Sequence, residues 1–350
     1  MKKLICMILT LAMMLTLIAC GNTNGDNNDG GDAAQDEPLV IGWSEMTMDV
    51  TYYKTLVDAA AEAAGKAGYK FVSLDAEGDI TKQIADVENL IAQDVDIIVI
   101  DAKDPSAIIP AVKSAVEAGI PVIACDSSMD EGAPVITTIQ ADNLAIGLAV
   151  GEFIAKTIGD QDIYTCLISG LKGNIVGQQR RVGYMAGVIA SREGLSHEDA
   201  IAKAWELEDQ LYSTGKVAYP ESKLNIVSQG WGDWTNEGGL NACDDALTSN
   251  ENINVVFAEN DAMALGAVKS IEAFNKTGDI LVAGVDAGEA ALDLIQQNNG
   301  VYHVTGLNSP LILGQMTIET ITSYFNGDDI PSVINMEGIA VTAENIAQYR

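Results

Sequence analysis

The sequence predicts an α/β protein built from parallel βαβ units, and three observations lead to this fold class. Short apolar runs alternate with helical segments along most of the chain, which indicates parallel strands joined by crossover helices. The length of 350 residues, 48% of them hydrophobic, is ample for two domains. The tetrapeptide Ala-Val-Lys-Ser occurs at 111–114 and at 267–270, and each copy leads through a helix to an apolar strand that ends at an aspartate, Asp126 or Asp286.

The N-terminus has the pattern of an export signal. Lys2 and Lys3 precede an apolar run that ends at Ala19, the build of a secretory leader and slightly short for a membrane span. Cys20 and Gly21 follow, and this junction resembles the bacterial lipobox, in which the cysteine thiol is lipidated. We predict a lipoprotein signal peptide over 1–19 and lipidation at Cys20. A plain signal peptide or an uncleaved anchor is the alternative.

Residues 20–37 are predicted to form a disordered tether, because they are rich in Asn, Asp and Gly and have too few apolar side chains to bury. Their acidic residues superficially resemble a calcium loop, but the spacing of the EF-hand pattern is absent. The linker interpretation is therefore preferred.

Charge and composition exclude several classes of partner. Fifty acidic residues against 19 basic ones give a net charge of −31, so a nucleic-acid partner is not expected. Only two histidines are present, which excludes a multi-histidine metal site, and we predict no metal and no cofactor. The cysteines form no CxxC pair, and we predict no disulfide.

The first βα series begins at Leu39. Strands are predicted at 39–43, 70–74, 95–100, 121–125 and 135–139, and their continuous apolar runs are typical of sheets covered on both faces. Helices are predicted at 52–67 and 80–93. A third helix is predicted after Asp104, with Asp104 as its N-cap and Pro105 in its first turn.

A second series follows, with strands predicted at 163–168, 225–228, 254–258, 280–285 and 302–306. The helices between and after them are predicted at 142–158, 175–190, 235–248, 261–274, 290–297 and 310–325. Residues 192–223 interrupt this alternation with Ser, Glu, Gly and Pro and one amphipathic piece at about 200–207. We predict a surface insertion there.

Several local motifs together resemble the ribose/galactose-type periplasmic sugar-binding proteins. They are Tyr52-Tyr53 before an alanine-rich helix, the strand closing on Asp126, Ala141-Asp142-Asn143, Arg180-x-x-Gly183-Tyr184, and Phe257-Ala258-x-Asn260-Asp261-x-Met263-Ala264-Leu265-Gly266-Ala267. The resemblance covers nearly all of the chain from Leu39 onward. It also extends to the ligand-binding core of lactose-repressor-type regulators, but those carry an N-terminal helix-turn-helix where this chain has an export leader.

The resemblance implies two Rossmann-like lobes with parallel sheets, joined by a three-crossing hinge. It places the N-terminal lobe at 38–141 plus 309–336 and the C-terminal lobe at 142–308 plus 337–350. Ligand would bind between the lobes, where the strands end.

The predicted ligand-binding residues match the chemistry of a sugar, which offers hydroxyl groups and apolar C–H faces. Carboxylates accept from hydroxyls, arginine and amides donate, and aromatic rings cover the faces. The resemblance assigns these roles to eight residues: Tyr52, Tyr53, Asp126, Arg180, Trp234, Asn260, Asp286 and Asn308.

Alternative roles stay open for some of these residues. Asn260 alone is more often a helix N-cap, and Tyr52 or Tyr53 alone is more often a core residue. Trp231 is an alternative to Trp234 as the ring that stacks on ligand. Three other polar residues are candidates for the site region: Asp142 as a helix cap near the hinge, and Asp49 and Asn174 as secondary ligand contacts.

Departures from the family pattern leave the ligand itself open. Ser127 stands where the ribose-type site has Arg, and Asn308 stands where it usually has Gln. Trp234, Asn260, Asp286 and Asn308 look more like the glucose/galactose branch, but Asp126 replaces that branch's Asn and its calcium loop is missing. A pyranose, a furanose, a polyol or a furanosyl autoinducer all fit this pattern.

No catalytic motif is found. Gly170, Gly173 and Gly177 do not have dinucleotide-binding spacing, and neither a nucleophile elbow nor a P-loop occurs. We predict a monomeric, lipid-anchored solute-binding protein of an ABC importer, exported to the outer face of the cytoplasmic membrane and partnered by the permease. The alternatives are a sensory receptor for a membrane kinase or chemoreceptor and, third, a hydrolase or nucleotide enzyme.

Overall fold

The computed structural model describes residues 38–298 and 300–349. The predicted signal peptide, Cys20 and the tether at 20–37 lie outside the described residues. Within the described residues, no helix has both the length and the apolar character that a membrane span requires.

The strands of the described chain are β1 Val40–Glu45, β2 Lys70–Asp75, β3 Ile97–Ile100, β4 Val122–Cys125, β5 Thr138–Ala141, β6 Ile163–Ser169, β7 Val217–Tyr219, β8 Leu224–Trp231, β9 Val255–Ala258, β10 Leu281–Val285, β11 Tyr302–Gly306, β12 Val333–Met336 and β13 Ala340–Thr342. The helices are α1 Thr51–Ala67, α2 Ile80–Ala92, α3 Ile109–Glu117, α4 Asn143–Ile158, α5 Ile175–Glu193, α6 His197–Thr214, α7 Asn236–Ser249, α8 Asp261–Ala273, α9 Glu289–Gln297 and α10 Pro310–Phe325.

These strands form two sheets, one in each lobe. The first sheet has the order β12-β5-β4-β3-β1-β2 and is parallel throughout. The second has the order β13-β11-β10-β9-β6-β8-β7, with a parallel centre and antiparallel edge strands β7 and β13. Central strands such as β3, β4 and β9 are buried along their whole length, as expected of parallel strands covered by helices on both faces. The predicted α/β class with two lobes is confirmed.

Over residues 38–298 and 300–349 the chain passes between the two sheets three times: after β5, between β11 and α10, and between β12 and β13. Two of these connections pack against the start of α4. A Cβ added at Gly338 would lie 2.4 Å from the Ala145 carbonyl carbon, and one added at Gly306 would lie 2.3 Å from Ile146 Cγ2. Only glycine permits so close an approach, so Gly338 and Gly306 allow these two connections to pack directly against the start of α4.

Helices α4 and α5 of the second lobe touch backbone to backbone. A Cβ added at Gly147 would lie 2.1 Å from the Arg180 carbonyl oxygen, and one added at Gly183 would lie 2.2 Å from the Leu144 carbonyl oxygen. Glycine on both helices removes the side chains that would otherwise separate them. This contact holds the first half of α5, which carries Arg180, against the crossing that precedes α4.

The structure corrects two predictions in the regular elements. The helix expected to start at Pro105 begins at Ile109, and Asp104 Oδ1 instead accepts from the amides of Ser106 and Ala107 in a preceding turn. Pro110 occupies the first turn of α3, where a missing N–H costs nothing.

The segment at 192–223 is more than a surface insertion. It forms the 18-residue helix α6 and the edge strand β7. Ala200, Ala204 and Leu211 of α6 are fully buried in the core of the second lobe. The amphipathic piece at about 200–207 was therefore the centre of a packed helix.

Candidate functional site

Two aspartates stand directly after central strands of the two sheets. Asp126 follows β4 and Asp286 follows β10, and both have positive φ, 62° and 131°. Their amides are fixed by neighbouring strands, because Asp126 N donates to Ile139 O at 2.8 Å and Asp286 N donates to Gly306 O at 3.0 Å. The left-handed region around the φ of Asp126 is one that aspartate tolerates, whereas a φ of 131° is rare for a residue with a side chain, and strain of that kind is found at binding sites.

A hydrogen-bonded chain connects the two aspartates. Tyr52 Oη lies 2.9 Å from Asp126 Oδ1 and 3.0 Å from Asn308 Oδ1, so its single hydrogen is shared between two acceptors. Asn308 Nδ2 donates in turn to Asp286 Oδ1 at 3.1 Å. The chain thus links α1 of the first lobe, the crossing after β11 and the end of β10.

Arg180 supplies the positive charge at this site. It is 4% exposed and donates through Nη1 to Glu259 O at 2.6 Å and through Nε to Asn143 Oδ1 at 2.9 Å. Its Nη1 also lies 3.4 Å from Asp286 Oδ1. The guanidinium is therefore held by the first residue of α4 and by the residue that follows β9, and it lies next to the second aspartate.

Trp234 lies beside Arg180, with its ring centroid 6.0 Å from the guanidinium carbon. The ring rests on Gly170, where an added Cβ would lie 2.1 Å from Trp234 Cε2. Trp231 instead faces Arg181, also at 6.0 Å. The structure therefore brings Trp234, rather than its neighbour, next to Arg180.

Asn260 has the role of a helix cap. Its Oδ1 accepts from Met263 N at 2.9 Å, and its Nδ2 donates to Trp234 O at 3.1 Å. Both ends of the amide therefore hold the protein's own backbone, one at the start of α8 and one in the Trp234 loop. One N–H hydrogen and one lone pair remain for a ligand.

Tyr53 packs edge-on against Tyr52, with ring centroids 5.5 Å apart and planes at 88°. Burial, followed by the charges of Asp101 and Asp126, raises the pKa of its hydroxyl well above the usual range. Among the other residues weighed, Asp142 and Asn174 cap α4 and α5, whereas Asp49 is exposed.

Sequence reasoning missed a buried carboxyl pair in the first lobe. Glu45 ends β1, Asp101 follows β3, and neither is exposed. Glu45 accepts from Trp43 Nε1 and from Met46 N, each at 3.0 Å. Glu45 and Ser127 are the polar neighbours of Asp101, but neither Asp101 oxygen is in a hydrogen bond of good geometry.

This pair holds a proton near neutral pH. Burial raises the pKa of Glu45 to about 7, and burial together with the Glu45 charge raises the pKa of Asp101 well above its usual range. Because Glu45 already has two donors, the proton belongs on Asp101, from where it can bond to Glu45. Glu45 and Asp101 both lie at the ends of strands, and this is the sequence feature that indicated Asp126 as a candidate site residue.

Asp261 is the corresponding buried acid of the second lobe. Its Oδ1 accepts from Tyr302 Oη at 2.5 Å and from Thr305 Oγ1 at 2.7 Å, and its Oδ2 accepts from Gly288 N at 2.8 Å. Burial and the Asp286 charge raise its pKa to about 7. It holds the loop that carries Asp286, and sequence reasoning noted it only as part of a motif.

The assembled groups can bind a polyhydroxylated molecule between the strand ends. They offer carboxylate acceptors, amide and guanidinium donors, and three aromatic rings. No group of three or more metal-ligating side chains suited to a metal ion is found in residues 38–298 and 300–349.

Comparison with known proteins identifies the family. The sequence profile of the periplasmic binding protein domain matches residues 41–329. This chain belongs to the periplasmic binding protein family. The ribose import binding protein of Bacillus subtilis is 31% identical over 335 residues, which cover 96% of this chain and 97% of that protein.

Solved structures of periplasmic binding proteins have the same fold. An ABC transporter solute-binding protein of Actinobacillus succinogenes with bound D-allose superimposes with a TM-score of 0.71 at 27% identity, covering 89% of this chain and 100% of its own. One from Bacillus halodurans with bound myo-inositol gives 0.69 at 26% identity, covering 89% and 96%. The family predicted from the sequence motifs is thus confirmed. The relatives of this chain are sugar-binding components of ABC transporters.

Proposed function

We propose that this chain is the solute receptor of an ABC importer and binds a sugar or sugar-like molecule between its lobes. One observation carries the proposal: the chain of contacts from Asp126 through Tyr52 and Asn308 to Asp286 and Arg180 joins both lobes. A ligand that contacts both ends of this chain stabilises the closed arrangement of the lobes relative to an open one.

The proposed lobes are 38–141 plus 309–336 and 142–308 plus 337–350, and the three connections between the sheets act as the hinge. The eight predicted residues form the proposed site, with Trp234 as the ring that stacks on ligand. Asp126 and Asp286 accept from ligand hydroxyls, while Arg180 and the amides of Asn260 and Asn308 donate.

The charge balance favours a neutral, hydroxyl-rich ligand over an anion. The charges of Asp126, Asp286 and Arg180 influence one another, Arg180 is the one cation of the three, and burial raises the pKa of both carboxyls. A carboxylate or phosphate on the ligand would add negative charge to a site that already has an excess of it. Ligand hydroxyls would instead donate to the two carboxylates.

A thermal-shift screen tests the proposal on the protein without its leader. D-Ribose, D-allose, D-galactose, myo-inositol, xylitol and uridine cover the candidate chemistry. A ligand at 100 times its dissociation constant stabilises the folded state by about 2.7 kcal/mol and raises the melting temperature accordingly. We expect at least one of these compounds to do so.

Titration calorimetry of Asp286→Ala with that compound provides the second measurement. Its binding free energy should weaken by roughly 2 kcal/mol, because Arg180 and Asn308 lose their shared acceptor. Asp209→Ala, an exposed carboxylate on α6, is the matched control and should bind unchanged. No shift with any compound would contradict the proposed ligand class, and unchanged binding by Asp286→Ala would remove this residue from the site.

We also propose that Cys20 carries the lipid anchor, that residues 20–37 tether the lobes to the membrane, and that the lipidated chain acts as a monomer beside its permease. Expression of the full chain in a bacterial host and mass spectrometry of its N-terminus tests the anchor. A diacylglyceryl adduct on Cys20 is expected, and the Cys20→Ser variant should lack it. An unmodified N-terminus produced by cleavage elsewhere would contradict the lipoprotein assignment.

A further inference from the structure

Consecutive arginines on α5 have separate surroundings. Arg180 belongs to the proposed ligand site, whereas Arg181 is 1% exposed and packed between α6 and the end of β9. Arg181 Nε and Nη2 donate to the Glu208 carboxylate at 2.5 to 3.0 Å. Arg181 Nη1 donates to Glu259 Oε1 at 3.1 Å. We call Glu208, Arg181 and Glu259 the buried triad.

Glu259 connects the buried triad to the ligand site through two atoms. Its Oε2 accepts from Gly170 N at 2.7 Å, and Gly170 is the surface on which the Trp234 ring rests. Its backbone oxygen accepts from Arg180 Nη1 at 2.6 Å. A rotation of the Glu259 side chain would therefore move Gly170, on which the Trp234 ring rests. It would also disturb Glu259 itself, whose carbonyl oxygen holds Arg180.

Glu208 is the contribution of α6 to this arrangement. It lies on the buried face of that helix, 2% exposed, while the neighbouring Glu206 is exposed. Apolar contacts through Ala204 and Leu211 already attach α6 to the core. A buried ion pair adds little stability over apolar residues of the same size, so packing alone does not explain the buried triad.

We propose that Glu208, Arg181 and Glu259 are positioning residues for the ligand site. Through them, α6 fixes the Gly170 support of the Trp234 ring and the Glu259 carbonyl that holds Arg180. This inference rests on the proposed function, because it assumes that Trp234 and Arg180 contact ligand. It gives the segment at 192–223 a role in setting which ligand face the ring can cover.

The first test needs no ligand. In protein labelled with ¹⁵N-tryptophan, the four indole N–H signals are assigned with single Trp→Phe variants. Glu208→Gln should shift the Trp234 signal although the two residues are separated by Arg181, Glu259 and Gly170, and it should leave Trp43 in the first lobe unchanged. Glu206→Gln is the matched control and should move neither signal. An unmoved Trp234 signal in Glu208→Gln would overturn the proposal.

The second test separates positioning from structural support. The triple variant Arg181→Met, Glu208→Met, Glu259→Gln contains no unpaired buried charge, and its urea midpoint should equal or exceed that of the parent protein. Its Trp234 signal should stay displaced. Its affinity for D-ribose, D-allose or myo-inositol, whichever the parent binds, should fall on the order of tenfold to a hundredfold, the loss seen when outer-shell partners of metal ligands are removed.

A triple variant that recovers both the parent Trp234 signal and the parent affinity would show the buried triad to be structural only. If none of the three compounds binds the parent protein, the proposed function fails for them. The displacement of Trp234 in the ligand-free variants still decides the positioning role.

Discussion

The two strand-end regions that face each other between the lobes differ in how their carboxylates are paired. In the second lobe, Asp261 accepts from three donors, Asp286 from Asn308 and Arg180, and Glu259 from Gly170 and Arg181. In the first lobe, Asp126 accepts from Tyr52, and neither Asp101 oxygen has a donor in good geometry.

In the function that we propose, this difference gives the two lobes different parts in binding. The second lobe holds its carboxylates with its own arginines, hydroxyls and amides, so the positions of these groups are set without ligand. The first lobe relies on a retained proton and, in our proposal, on ligand hydroxyls. Asp286 has an arginine within ion-pair distance and Asp126 has a tyrosine hydroxyl instead, so removing the charge at these two positions should change the free energy of unfolding in opposite directions.

The largest effect should come from the cation of the second lobe. Arg180→Met leaves the Glu259 carbonyl and the Asn143 amide oxygen without their donor and leaves Asp286 with Asn308 alone. Breaking a buried pair by removing one partner costs roughly 3–5 kcal/mol, so the free energy of unfolding in urea should fall by about 3 kcal/mol. Arg192→Met, the same change near the end of α5, is the control. An equal loss in both variants would contradict the assigned role of Arg180.

The paired aspartates allow a direct comparison of the lobes. Asparagine has the shape of aspartate and tolerates positive φ, so Asp286→Asn and Asp126→Asn remove charge with little strain. Asp286→Asn should lower the free energy of unfolding by about 2 kcal/mol, because a charged acceptor for Arg180 is lost. Asp126→Asn should be neutral or stabilising, because it relieves the burial of a charge beside Glu45. Urea unfolding of ligand-free protein measures both, and equal losses would show that the lobes are not asymmetric.

The smallest effect is the part of the pH dependence of stability that the buried acids of the first lobe contribute. Glu45 binds more protons in the folded than in the unfolded chain between about pH 4.5 and pH 7, because burial raises its pKa to about 7, and burial raises the pKa of Asp101 in the same direction. Stability must therefore fall as pH rises through this window. Asp101→Asn removes one acid and offers an amide donor to Glu45. The free energy of unfolding of this variant, relative to the parent, should rise by about 1 kcal/mol between pH 5 and pH 8.

Urea unfolding at unit pH steps over this range tests that effect, with the exposed Asp209→Asn as control. A difference between Asp101→Asn and the parent that stays constant with pH would show that Asp101 is not the proton carrier. The same measurement on Asp261→Asn compares the pH dependence of unfolding for the acid of the second lobe that accepts three hydrogen bonds. The pKa of Asp261 is also about 7.

Most of the fold could be predicted from the sequence, because parallel strands covered on both faces must be continuously apolar. The apolar runs that form β3, β4 and β9 satisfy this rule. The repeated tetrapeptide Ala-Val-Lys-Ser indicated two related βα units. The predicted start of α3 was wrong because Asp104 and Pro105 suit a turn as well as they suit the first turn of a helix. The insertion was underestimated because the spacing of its small alanines gives a weak helical pattern.

The site was predictable only in part, for a similar reason. Their positions directly after predicted strands indicated Asp126 and Asp286 as candidate site residues. The family motifs added Arg180, Trp234 and Asn308 as candidates. Glu45 and Asp101 also stand at strand ends, but nothing in their local sequence distinguishes an acid that keeps its proton from one that faces solvent. The partner of Arg181 lies 27 residues away on another helix, so no local pattern joins them.

The sequence by itself determined the α/β class, the two related lobes and the family, because these depend on apolar periodicity and short motifs that act locally. Only the tertiary structure decided which tryptophan stands beside Arg180, which carboxyls are paired, and that α6 is joined to the end of β9 through Glu208, Arg181 and Glu259. Those properties depend on burial and on contacts between distant segments, which raise or cancel the cost of each charge, and no single stretch of chain encodes them.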